Sequence, residues 1–370
     1  FASVGTAFER YIANPLFAWN TSIGQWSNLT DFPVYDLKPE RTNSFEVGMN
    51  MRFLKNFELD VTYYNAKTMN QTFNPELPVG EYARIYIQTG AVRNQGLELA
   101  LNYNNTWKDF TWNTGVTYSM NKNKILTLAD NAINPITHEK FSISSLNMGG
   151  LGSTRFILKE GGSMGDIYSL MDLKRDANGA VYIDENNSVV TESLEANNYI
   201  KLGSVLPKGN LAWRNNFSWK NINVAFLVSA RLGGVVFSRT QAVLDNFGVS
   251  EASAAARDKG YVSVNGNDRV NPEGWYSVVA GGTAVPQYYI YSATNIRLQE
   301  ASIGYTIPRK WLGNVCDIKV SLIGRNLWMI YNKAPFDPES VASTDNFYQG
   351  IDYFMMPSLR NIGFNLSFKF

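Results

Sequence analysis

The chain has 370 residues, with 33 Lys plus Arg against 32 Asp plus Glu, one His, one Cys and 14% aromatic residues. A net charge of +1 leaves no basic stripe to displace counterions, which excludes nucleic acid as the main partner; a lone Cys316 excludes an internal disulfide, and a lone His138 a His-rich zinc site. The mean hydropathy of −0.21, with no apolar run near the roughly 18 residues of a membrane helix, excludes helical spans but not a barrel, whose alternating strands average near zero.

In chain order, Phe1 to Phe8 reads as a first strand. From Ser44 to Phe53 the apolar set Phe45, Val47, Met49, Met51 and Phe53 alternates with Glu46, Gly48, Asn50 and Arg52, the period of a strand with one face in lipid and one in water. Lys55-Asn56 makes a tight turn, and Phe57, Leu59, Val61 and Tyr63 resume the alternation. A second hairpin of the same kind runs through Leu97 to Tyr103 and Phe110 to Met120. Further strands read at about 208 to 219, 222 to 234, 289 to 307, 316 to 331 and 360 to 370, and Gln299-Glu300 breaks the alternation in the manner of a bulge. Strands of about 11 tilted residues span a bilayer.

Short turns at Lys55-Asn56, Trp107 to Asp109, Lys220-Asn221 and Pro308 to Val315 alternate with connections of roughly 25 to 85 residues, the rim asymmetry of an outer-membrane barrel. Placing the short turns in the periplasm gives about ten strands, requires an even number of strands in the 122 to 207 connection, and puts a small hairpin at Val181-Tyr182-Ile183 after the Asp176 to Gly179 turn. The end of the chain alternates Ile362, Phe364, Leu366, Phe368 and Phe370 with Asn361, Gly363, Asn365, Ser367 and Lys369. No signal peptide opens at Phe1, so an exported barrel is expected to extend upstream of this chain.

Leu37-Lys38-Pro39-Glu40 leading into Ser44-Phe45-Glu46-Val47-Gly48, Val92 to Leu99 (VRNQGLEL), Leu202-Gly203 with Pro207-Lys208, Asn295-Ile296-Arg297-Leu298, Gly324-Arg325-Asn326-Leu327, Asp337-Pro338-Glu339, Pro357 and the final strand resemble the SusC/RagA-like TonB-dependent transporters of Bacteroidota outer membranes. The resemblance covers essentially the whole chain. It implies an all-β fold, in which residues 1–370 are about ten C-terminal strands of a 22-stranded antiparallel transmembrane barrel. The plug domain, TonB box and early strands would precede Phe1. It also implies TonB-dependent import of oligomeric nutrients, glycans or oligopeptides, with a SusD-like surface lipoprotein as lid, TonB reached through the upstream region, and the lipid bilayer of the outer membrane as surroundings.

No active site is legible, because His138 has no Gly-Xaa-Ser-Xaa-Gly elbow beside it, no phosphate loop is present, and Asp184 and Glu185 are neighbours facing opposite sides. A non-enzymatic protein without a cofactor is expected. Asp176, Asn178 and Glu185 fit positions 3, 5 and 12 of a calcium loop, but Lys174 stands where the first oxygen ligand belongs, so a plain hairpin turn is the better reading. Glu46, Arg52, Glu58, Asp60, Glu98, Arg231, Arg297 and Arg325 read as a hydrated lumen wall and plug contact. Trp19, Trp26, Trp275, Tyr276, Tyr348 and Tyr353 fall on long loops, where a flat ring stacks on a sugar, packs on a partner or packs the loop itself. A passive porin-like or adhesin barrel and a soluble β-sandwich glycan-binding module are the alternative functions.

Overall fold

The computed structural model describes residues 17–22, 24–28, 31–32, 38–73, 84–85, 87–134, 138–266, 268–282, 284–313, 315–343 and 348–369. One nine-stranded antiparallel sheet organises them: β1 (Arg41–Phe53), β2 (Phe57–Phe73), β3 (Ile87–Trp107), β4 (Phe110–Thr127), β5 (Gly209–Trp219), β6 (Ile222–Leu232), β7 (Asn295–Ile307), β8 (Asp317–Asn332) and β9 (Asn361–Lys369). Each strand pairs with its neighbours in sequence, a pure meander with β1 and β9 at its edges. The strand expected at Phe1 to Phe8 lies outside the described residues, as do Leu37 and Phe370, so nine strands stand where about ten were expected.

The alternation in the sequence becomes the two faces of this sheet. Phe45, Val47 and Met49 of β1 point outward and are exposed, and so are Ile303, Leu322 and Phe364 farther along. Rows run from strand to strand: Phe217 opposes Trp112 and Val224, Val224 opposes Ile303, Ile303 opposes Leu322, and Leu322 opposes Phe364. A β-sandwich would bury such a face under a second sheet; an apolar face left open across nine strands is what lipid covers. The protein is therefore expected to stay in the membrane pellet through a carbonate wash and to need detergent for extraction, and recovery in the wash would contradict the lipid-facing assignment.

The short turns are tight because non-glycine residues accept left-handed backbone there, Lys55 at φ 63°, Lys108 at φ 54° and Lys220 at φ 51°. Near this rim Phe53 and Phe57 stack at 5.3 Å, and Trp107 and Phe110 at 5.9 Å, an aromatic girdle at the membrane boundary. The bulge falls where expected: Leu227 pairs with Glu300 and Val228 with Leu298, which leaves Gln299 as the extra residue.

One expectation changes. The strand read from 289 to 307 starts only at Asn295, because Pro286–Tyr289 forms a 3-10 turn and Ile290–Ser292 pairs with Val235–Ser238 instead. The 122 to 207 connection keeps the even number expected of it: it sends no strand into the main sheet, since β4 pairs directly with β5, and its described residues fold into eight short strands in sheets of their own. The 181–183 hairpin is present as the bridges Arg175 to Val181 and Ile183 to Val189. The 235 to 288 connection is partly helical: α1 (Arg239–Asn246), α2 (Glu251–Lys259) and α3 (Pro272–Val279) start at the caps Ser238, Ser250 and Asn271, and α2 stops at Gly260 with φ 82°.

Candidate functional site

The long connections are not separate loops. Phe156, Ile167, Leu173 and Val189 from the first, Phe237, Ala242, Val264, Val279 and Tyr289 from the second, and Ile351 from the third form one buried cluster. Ile351–Asp352 pairs in parallel with Phe237–Ser238, and Asp352 accepts a hydrogen bond from the Ser238 hydroxyl (2.6 Å). The result is a folded loop domain on the rim opposite the short turns, with a core of its own.

Its third connection also reaches back to the lumen face of the sheet. Asp337-Pro338-Glu339 meets Arg297 on β7: Arg297 Nη2 donates to Asp337 Oδ1 (2.8 Å), Nη1 to Asp337 Oδ2 (3.3 Å), and Nη2 lies 3.2 Å from Glu339 Oε2. Nε donates to Asn295 Oδ1 (3.2 Å), whose amide donates to Glu339 Oε1 (3.2 Å). The Arg297 side chain is 6% exposed and that of Asp337 9%, so Arg297 is a buried pin and not the hydrated wall residue its sequence position suggested. Burial raises the Asp337 carboxyl, but hydrogen bonds from Arg297, Ser358 and the Glu339 backbone outweigh it and hold the group below the usual carboxylate value. Arg231, opposite Asn295 in the sheet, donates to Val205 O (2.7 Å) and so ties the first connection to the same place. Arg325 pairs with Glu300 (3.0 Å), and Arg52 with Glu58 (3.5 Å), in the open. Beneath the pin a concavity of about 710 Å³ is lined by Asp60, Glu98, Ser119, Asn210, Arg231 and Glu339. The charged and polar groups of this lining lie on the lumen side of the sheet, among Ala100, Ala212 and Ala230.

The aromatic candidates separate. Trp19 and Trp26 face each other across a small hairpin at 5.6 Å, edge to face, both exposed. Trp275 is partly buried against the loop-domain core and meets Tyr288 at 5.1 Å, a packing role. Trp275→Ala is accordingly expected to loosen the loop domain, by at most about 3 kcal/mol for a partly buried indole, and to increase protease cutting in the 235 to 288 connection of the assembled receptor. Tyr276 lines a second concavity, bounded by α1, α2 and α3. Burial, and then the Asp245 charge, raise the hydroxyls of Tyr276, Tyr289 and Tyr291, the last to about 12, so all three stay neutral. Tyr348 is exposed with Phe156 behind it at 6.5 Å, and Tyr353 is exposed beside Phe354 at 5.4 Å. Asp176 turns Oδ1 onto the N–H groups of Asn178 and Ala180, while Glu185 is exposed on the following turn, where Asp184 does the same for Asn186 and Ser188. Both are side-chain-closed turns. Among the described residues no group of three or more His, Cys, Asp or Glu is placed to hold a metal.

Residues 1–327 match the family model described as TonB dependent receptor-like, beta-barrel. The chain belongs to that family. Relatives in Formosa agariphila are the TonB-dependent receptor P3, 26% identical over 92% of this chain, and the TonB-dependent receptor P26, 27% identical over 90%. The chain spans about a third of their length, 35% and 34% respectively. Among solved structures, the RagAB peptide importer in its closed-closed state superposes with a TM-score of 0.73 at 16% identity, over all of this chain and 40% of that one. Its open-open state gives 0.71 over 98% and 38%. These likenesses bear on the fold. The TonB-dependent receptor barrel, with its lipid-facing and lumen-facing sides, is an outer-membrane protein.

Proposed function

We propose that this chain forms C-terminal barrel wall and outer loops of a TonB-dependent importer that takes oligomeric nutrients, glycans or oligopeptides, across the outer membrane. Residues 1–370 would supply the closing strands of a larger barrel, TonB would act through a region outside this chain, and a SusD-like surface lipoprotein would rest on the loop domain. The observation that carries this reading is the combination of an apolar outer face, a polar lumen face and long connections folded into one domain over the lumen. A passive pore needs no such superstructure, whereas a lidded importer needs a firm platform for its partner. Exposed Trp19, Trp26, Tyr348 and Tyr353 offer that platform rings for a sugar, a peptide or the lid.

The test is uptake by cells carrying the full-length gene, with and without TonB, and with and without the neighbouring lipoprotein gene. Uptake that stops without TonB and falls without the lipoprotein is expected. Uptake unchanged by loss of TonB would make the protein a passive pore and end this proposal.

A further inference from the structure

An open concavity of about 520 Å³ lies where the C-terminal ends of α1 and α2 meet the first turn of α3. Asp245 lines it and is 5% exposed. Its Oδ1 accepts from Gln241 Nε2 (2.8 Å) and its Oδ2 from the Tyr289 hydroxyl (3.0 Å), yet among the described residues no cation pairs with it. A carboxylate offers about four acceptor sites, so half of this one's capacity is unused. Burying a charge without a counter-charge is costly. The position adds to that cost: Asp245 stands in the last turn of α1, at the negative end of the helix dipole, and no basic residue occupies that turn.

The rest of the lining has the same sense. Glu273 adds a second, exposed carboxylate at the rim, and Phe247 and Tyr276 bring aromatic rings. Arg257 is the cation among the lining residues, and its Nη1 is turned to Gly248 O (2.5 Å). Buried carboxylate, helix C-terminus and ring faces are the three groups that recognise an organic cation.

We propose that this concavity binds a primary ammonium group of the imported oligomer, with Asp245 as its counter-ion, Glu273 at the entrance and Phe247 and Tyr276 as walls. The proposal rests on the import reading above and narrows its substrate to amine-bearing oligomers. A peptide N-terminus and an unacetylated amino sugar both carry that group.

Calorimetry on the full-length receptor in detergent tests it with four probes: trialanine amide, its N-acetyl form, a glucosamine trimer and an N-acetylglucosamine trimer. At least one free amine is expected to bind about tenfold or more tighter than its acetylated form, and which one does so identifies the source of the amine. Asp245→Asn should remove that preference, and Glu273→Gln, an exposed change that cannot disturb the core, should reduce it about threefold. Equal affinity of both free amines and their acetylated forms overturns the proposal, as does wild-type preference in both variants. If Asp245→Asn fails to assemble, Glu273→Gln and the exposed Phe247→Ala decide, and unchanged preference in both overturns it. TonB-dependent uptake is scored separately: uptake that persists without any amine preference defeats this inference alone, whereas uptake independent of TonB defeats the import reading and leaves the binding result standing.

Discussion

Replacing Arg297 by alanine is expected to destabilise the assembled receptor by about 3 to 5 kcal/mol, because it strands the buried Asp337 carboxylate without its counter-ion. Heat modifiability or urea unfolding from detergent would show it. Arg325→Ala, which removes an ion pair whose arginine side chain is 67% exposed, should cost no more than about 1 kcal/mol. Comparable losses in the two variants would mean that Arg297 is not the pin. The Arg297 contribution also has a pH signature. The Asp337 carboxyl is depressed in the folded protein, so the unfolded chain binds more protons in the interval between the two pKa values, and stability rises with pH there. The contribution is complete above the unfolded carboxylate value near about 3.9, and it fades as pH falls through the lower folded value. Arg297→Ala should therefore lose most of its disadvantage in strong acid.

Met49→Arg is expected to cost about 2 to 4 kcal/mol, and Asn50→Arg far less. Met49 lies mid-strand on β1 with its side chain on the lipid side, opposite Val61; Asn50 faces the lumen, where its amide donates to Asp60 Oδ2 (3.3 Å) and where an arginine would meet the same carboxylate. The pair of variants differs by one residue in sequence and by the whole dielectric contrast of the bilayer in environment. Equal costs on refolding into lipid would show the faces to be wrongly assigned.

The barrel was legible because lipid and water impose opposite demands on successive residues, and Phe45 to Phe53 or Ile362 to Phe368 record that alternation locally. The Gln299 bulge was legible for the same reason, as a break in phase. The loop domain left no such record. Phe156, Phe237 and Ile351 share one core across separations of many tens of residues, and nothing in the sequence near any one of them names the others. Two of the three helices were readable in principle, from Ser250 with Gly260 after the alanine-rich run and from Asn271-Pro272, but eight or nine residues give too few turns for periodicity to stand out. Asp245 drew no notice in the sequence because one Asp in a short helix is ordinary. Its depth, and the lack of a paired cation among the described residues, are facts of packing. For Trp275, which the sequence leaves open as a ring for a sugar, a partner or the loop itself, the structure shows packing against the loop domain's own core.

The shared core of the three outer connections limits how such a receptor can be remodelled. Outer-membrane barrels are attractive as display scaffolds because surface loops can ordinarily be exchanged one at a time. Here a graft that replaced residues 235–288 alone would remove Phe237, Ala242, Val279 and Val285 from the core they share with Phe156 and Ile351, leaving the other two segments with uncovered apolar surface. Transplants between relatives should succeed when all three segments travel together, and inherited variation in them should be exchanged as a block.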